Sequence, residues 1–221
     1  MTAVADPRAT EYMKLLTQLQ KEIGEIHGEP ILRRFRRWQK VKSPDVRTHQ
    51  QDYDPAWPDE FSAGAAAIAR ALADHHPEIH HIGSTSVPGM ASKPIVDMVV
   101  ALDDSDAIAM AGARLSAIGY ACWGNSPMHP DIDWFWHHRS TPVQRVVHLC
   151  ARGNPWMVAA VNFRDYLRQF PQKRVEYLHL KQRLVSESGD DLALYSAKKT
   201  SLVHRFNTEA EAWRASARVK S

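Results

Sequence analysis

His81-Ile82-Gly83-Ser84-Thr85-Ser86-Val87-Pro88-Gly89-Met90-Ala91-Ser92-Lys93-Pro94-Ile95-Val96-Asp97 holds two strands and the loop that joins them. His80-His81-Ile82 reads as a short strand, residues 83–93 as a loop, and Ile95 to Ala101 as a largely buried strand. Gly83 permits a tight turn with close backbone approach. Ser84, Thr85 and Ser86 bring hydroxyl and N–H donors and Lys93 brings a cation, the parts from which a phosphate cradle is made. Asp97 stands inside an otherwise apolar strand. A carboxylate there is costly unless a metal, a cation such as Lys93 or hydrogen bonds compensate it, which makes Asp97 the most informative residue in the chain. The glycine patterns of Rossmann and P-loop sites do not occur.

Outward from this stretch, helical spacing covers residues 59–74, where Phe61, Ala65, Ile68 and Leu72 share a face, and residues 103–118. Residues 120–152 are rich in aromatics and proline, with a strand at 143–149 after the Ser140-Thr141-Pro142 turn. Helices follow at 163–170, 175–184 and 192–206, separated by Pro171 and Gly189. Toward the N-terminus, Tyr12, Leu15, Leu16, Leu19, Ile23 and Ile26 predict an amphipathic helix over 11–26 with Thr10 as its cap. A short basic helix places Leu32, Phe35 and Trp38 on one side and ends at a Ser43-Pro44 linker. This divides the chain into an N-terminal helical extension, residues 1–47, and a domain spanning 48–221. Arg33, Arg34, Arg36 and Arg37 fit either a nucleic-acid contact or the solvated face of a docked helix.

At 221 residues, 44% hydrophobic and 24% charged, the chain is long enough to bury a sizeable core without staples, which excludes disordered and fibrous classes. No apolar run approaches the roughly 20 residues that span a bilayer, and Met1 to Pro7 has no secretory character, so a cytoplasmic protein without membrane contact is expected. Cys122 and Cys150 are too far apart in sequence for a metal knuckle and read as reduced thiols. The net charge of +3 divides into +4 for residues 1–47, −6 for 48–160 and +5 for 161–221. An acidic middle between basic ends suits a metal–phosphate ligand, or else only solvated helix surfaces.

Tyr53-x-x-x-Trp57, His81 to Gly89, Lys93-Pro94-Ile95-Val96-Asp97 and Asn162-Phe163-Arg164-Asp165-Tyr166-Leu167-Arg168 closely resemble the GrpB family of the nucleotidyltransferase superfamily, over roughly residues 50–206. The resemblance implies an α/β (α+β) fold, a small mixed β-sheet flanked by helices. It also implies that Gly83 and Ser84, with Thr85 and Ser86, bind the β- and γ-phosphates of a nucleoside triphosphate, most readily ATP. Asp97 would ligate Mg²⁺ bridging those phosphates while an acceptor attacks the α-phosphorus. Lys93, Arg164, Arg168, Lys181 and Lys198 are the candidates for neutralising the triphosphate, with solvated side chains as the alternative for each.

Two departures from the superfamily stand out. The strand position two residues beyond Asp97, where a second carboxylate is usual, holds Val99. Either one metal suffices or another segment contributes, and the alternating Asp131 and Asp133 are the candidates, unless they belong to a polar loop. Val147-His148-Leu149-Cys150 stands where relatives usually carry His-Leu-His. His148 fits a general base, an acceptor-binding group or a hydrogen-bonded core histidine. His75, His76, His80, His81, His129, His137 and His138 lack a zinc motif. Trp123, Trp134, Phe135 and Trp136 fit either core packing or stacking on a base. The expectation is a nucleotidyl- or adenylyl-transferring enzyme with an unidentified acceptor. The alternatives are an ATP-dependent, amide-forming enzyme acting through an acyl-adenylate, and a non-catalytic nucleotide-binding module.

Overall fold

A computed structural model describes residues 50–103, 105–125, 131–137, 143–188 and 192–218. The expected N-terminal helices and the Arg33–Arg37 cluster lie outside them. Among the described residues the order is α1 (Trp57–Ala71), β1 (Glu78–Ile82), β2 (Ile95–Leu102), α2 (Ser105–Ala117), β3 (Ala121–Asn125), β4 (Asp133–His137), β5 (Gln144–Ala151), α3 (Pro155–Gln169), α4 (Pro171–Ser188) and α5 (Leu192–Arg218). The strands form one sheet in the order β1-β2-β5-β4-β3, with β2 and β5 parallel and every other pair antiparallel. This is the small mixed sheet flanked by helices that the sequence predicted. No helix among the described residues is long and apolar enough to cross a membrane.

Local chemistry explains the helix ends. Pro58 lies in the first turn of α1 with Asp59 and Glu60, where carboxylates complement the helix dipole. Asn154 caps α3 by accepting from the Trp156 N–H at 2.9 Å, and Pro155 opens the helix where no N–H is needed. That cap starts α3 eight residues before the expected Phe163. The aromatic stretch after Tyr120 is more regular than expected, because its aromatic residues lie in two strands, β3 and β4.

Strand alternation sends side chains to two covers. Val96, Met98, Val100, Leu102, Phe135, Val147 and Leu149 face α1 and α2, against Trp57, Ile68, Leu72, Ala111 and Leu115. The opposite face carries Ile82, Val99, Ala101 and Cys150, which pack with Ile132 and with Met157 of α3. Burial of a side chain such as Leu102 or Leu149 stabilises by roughly 1.5–3 kcal/mol. A third cluster joins the β1–β2 loop to the C-terminal helices: Val87 and Met90 are buried among Phe163, Tyr166, Leu167, Tyr177 and Phe206. The loop is thereby pinned to α3, α4 and α5 by its apolar residues, which leaves its polar ones beside the end of β2.

Candidate functional site

Asp97 stands on the α3 face of β2, paired across the sheet with Ile82 on β1 and Val146 on β5. Its side chain is 32% exposed, and its Oδ1 lies 3.1 Å from Nε2 of His148, which is 8% exposed. The other oxygen, Oδ2, abuts the loop at Gly83. A Cβ on Gly83 would fall 2.8 Å from it, and the backbone there has φ +71° and ψ −173°, a conformation essentially reserved for glycine. The carboxylate is thus held by an imidazole and a bare Cα and keeps an opening to solvent. His148 in turn packs against the Trp156 ring, with centroids 5.0 Å apart. Its Nε2 is thus engaged with Asp97, and its ring is buried.

The loop hydroxyls divide between structure and availability. Thr85 Oγ1 donates to the Ile95 carbonyl at 3.1 Å and accepts from His81 Nε2 at 3.0 Å. Ser86 Oγ donates to the Gly83 carbonyl at 2.6 Å. Both residues are buried, and both hydroxyls donate to backbone carbonyls at the turn and the start of β2. His81 is buried and stacks on Phe61 at 4.8 Å. Burial pushes its imidazole down to about 4, with Arg168 and Arg164 adding to the depression against the pull of Asp97. It is therefore a neutral donor at neutral pH. Arg168 donates to the Ser86 carbonyl through Nε at 2.9 Å and Nη2 at 2.6 Å, and Arg164 donates to the His81 carbonyl at 3.0 Å and to Asp165. In this structure Arg168 is thus bonded to the loop backbone, and Arg164 to the end of β1 that enters the loop and to Asp165.

The available polar group is Ser84, and behind it lies Lys181 of α4. Lys181 is 2% exposed, and its Nζ donates to the Ala91 carbonyl at 2.6 Å and to Ser84 Oγ at 3.3 Å. Burial pushes its ammonium well below the ordinary lysine range, and the charges of Lys199 and Lys93 push it further. Lys93 on the loop, Lys181 on α4 and Lys199 on α5 therefore converge on one end of the loop. Lys199 was not a candidate in the sequence; the adjacent Lys198, which was, has its side chain outside the described residues. The helical spacing of α4 and α5 was visible, but that Lys199 comes near Lys181 depends on how the helices pack.

Asp131 and Asp133 do not join Asp97. Asp133 is in register with Leu149 and shares the sheet face of Phe135 and Leu149, opposite to that of Asp97. Burial raises its carboxyl. Asp131 accepts from the Asn154 side chain beside the α3 cap. The position two beyond Asp97 is the fully buried Val99, and among the described residues no group of three or more His, Cys, Asp or Glu side chains is placed to hold a metal ion. Cys150, in the place of the second histidine, is buried, and burial with the charges of Asp131 and Glu78 pushes its thiol up to about 12. It supplies no imidazole-like function. Both cysteines are free, as expected. The donors at Asp97 fit a single Mg²⁺, an ion that keeps most of its oxygens from water and phosphate and needs one or two carboxylates. They do not assemble a two-metal site.

A family model described as "GrpB protein" matches residues 48–209. The chain belongs to the GrpB family. A UPF0157 protein of Streptomyces coelicolor is 34% identical over 164 residues, 74% of this chain and 84% of that protein. The crystal structure of the conserved protein GrpB from Enterococcus faecalis matches with a TM-score of 0.66 and 26% identity, covering 75% of this chain and 99% of that one. A cytoplasmic RNA terminal U-transferase matches with a TM-score of 0.43 and 13% identity, over 72% of this chain and 47% of that one. The match to the GrpB family takes in α1 to most of α5, and with them Gly83, Ser84, Asp97, His148, Lys181 and Lys199.

Proposed function

We propose that this GrpB-family chain binds a nucleoside triphosphate at the Gly83–Lys93 loop and transfers its nucleotidyl group to an acceptor. The observation that carries the reading is Lys181: a lysine buried beneath a Gly-Ser turn, with two further lysines near it and an accessible carboxylate on the next strand. Ser84 Oγ accepts from Lys181, which leaves its own O–H to donate to a phosphate oxygen. Lys93, Lys181 and Lys199 neutralise the β- and γ-phosphates. Asp97 would hold Mg²⁺, which supplies charge neutralisation across the phosphates when bound. His148 keeps Asp97 in its rotamer, and Thr85, Ser86, His81, Arg164 and Arg168 keep the loop in shape. The acceptor's oxygen or nitrogen forms a bond to the α-phosphorus as the bond from that phosphorus to the oxygen bridging to the β-phosphorus breaks; pyrophosphate leaves with that electron pair, and the acceptor's proton passes to solvent. Positioning and charge neutralisation supply the catalysis.

Buried Val99 favours a second reading, a nucleotide-binding module that no longer turns over. Thermal-shift titration with ATP, GTP, CTP and UTP, with and without Mg²⁺, separates the two. A nucleotide at about 100 times its dissociation constant stabilises by roughly 2.7 kcal/mol. The enzyme reading expects a Mg²⁺-dependent shift, lost in Asp97→Asn, and pyrophosphate release with an acceptor. A metal-independent shift without turnover supports the module, and no shift with any of the four nucleotides refutes both.

A further inference from the structure

The three lysines beside the loop pose an electrostatic problem. Lys181 is almost fully buried, and among the described residues its amine bonds only to neutral oxygens, the Ser84 hydroxyl and the Ala91 carbonyl. Among the described residues, the charged groups that reach it are Lys93 from the loop and Lys199 from α5, both cations, and no carboxylate does. A buried ammonium with two positive neighbours is a costly arrangement, and proteins relieve it by giving up the proton. A polyphosphate over Ser84 reverses the balance, because it brings several negative charges to the same spot.

We propose that Lys181 is an uncharged amine while the loop is empty and takes up a proton when a polyphosphate binds, so that the site is a proton-coupled receptor for highly charged anions. The inference rests on the triphosphate reading above and deepens it. An uncharged amine neither repels Lys93 and Lys199 in the empty protein nor competes for the anions of the medium. The incoming phosphates supply the field that makes the third cation stable. Ligands of high charge density, such as triphosphate, gain most from the uptake, and a monophosphate gains least. Affinity falls as pH rises between the lysine's value in the empty protein and its value in the complex, by up to about tenfold per pH unit.

Isothermal titration calorimetry with metal-free ATP tests this directly. Binding enthalpies measured in buffers of different ionisation enthalpy give the number of protons taken up. At about pH 8.5 the last ionisation of the nucleotide's terminal phosphate, at roughly pH 6–7, is complete, so protons taken up then belong to the protein. The expected result is uptake approaching one proton per ATP in the wild type and a clear loss of uptake in Lys181→Arg, whose guanidinium is charged throughout. Lys181→Met, which removes the amine and keeps an apolar chain of similar length, is expected to lose uptake and bind weakly. ATP binding with zero uptake in the wild type, or with the wild-type uptake retained in Lys181→Met, overturns the proposal and leaves the nucleotide reading intact. No binding of ATP to the wild type, with or without Mg²⁺, overturns both.

Discussion

Replacing Gly83 by alanine adds one methyl group at the point where loop and carboxylate meet. Two costs follow from the geometry. The backbone conformation, φ +71° with ψ −173°, costs a residue with a Cβ about 1–3 kcal/mol. The new Cβ also sits 2.8 Å from Asp97 Oδ2, about 0.6 Å short of ordinary contact, so the carboxylate must turn away and stretch its bond to His148. The two costs separate in a double-mutant cycle. Asp97→Ala removes Oδ2 and leaves the Asp97 Cβ 3.4 Å from the new methyl, an ordinary contact, so that in this background Gly83→Ala costs only the backbone part. The expected coupling between the two substitutions is about 1 kcal/mol or more, within the usual range for touching residues. Urea unfolding measures it, since with a slope of about 1–3 kcal/mol per molar a 2 kcal/mol loss moves the midpoint by roughly 1 M. Additivity of the two substitutions to within about 0.3 kcal/mol would falsify the seating of Asp97 against Gly83.

Four further outcomes are expected. Lys181→Met raises the stability of the ligand-free protein by about 1–2 kcal/mol, because it removes a desolvated amine with no oppositely charged partner among the described residues; a lower melting temperature contradicts this. The sign of the same group's pH dependence follows from its lowered value: between its folded value and the ordinary 10.5 the unfolded chain holds more protons, so wild-type stability rises with pH through that window and the methionine variant lacks this rise. His81, depressed to about 4 from 6.5, contributes stability that is complete above about pH 6.5 and lost as pH falls toward 4, about 3 kcal/mol in all. Urea midpoints across that range should fall more steeply for wild type than for His81→Gln, and parallel curves would show that the imidazole titrates normally. Glu60→Ala leaves the 7%-exposed Arg145 guanidinium without the carboxylate now 2.6 Å from it and costs about 3–5 kcal/mol, and Arg145→Met added to it restores most of the loss; a cost below about 1 kcal/mol would count against a desolvated pair.

What the sequence could show depended on whether a signal was local. Asp97 in an apolar strand and Gly83 in a turn are local anomalies, and both lie where they were expected. The start of α3 was also local, in Asn154-Pro155, a capping residue followed by proline. The chemistry of the polar residues was legible only by type. An arginine at 164 or 168 meets a phosphate or a carbonyl with the same donors, and the choice was made by the path of the loop toward α3. The hydroxyls of Thr85 and Ser86 went to nearby backbone carbonyls, of Ile95 and Gly83, for the same reason. Asp131 and Asp133 became interpretable once β4 was known, because Phe135 in the core sends Asp133 to the same face, away from Asp97. Lys199 required the packing of α5 on α4, a long-range fact that no window of residues contains.

A crystal structure with Mg²⁺ and a non-hydrolysable nucleoside triphosphate tests the site most directly. The expected complex has a terminal phosphate oxygen within hydrogen-bond distance of both Lys181 Nζ and Ser84 Oγ, and an Asp97 carboxylate oxygen about 2.1 Å from the ion. A triphosphate held elsewhere on the molecule, or held at the loop with Asp97 still turned to His148 and no metal on it, contradicts the account.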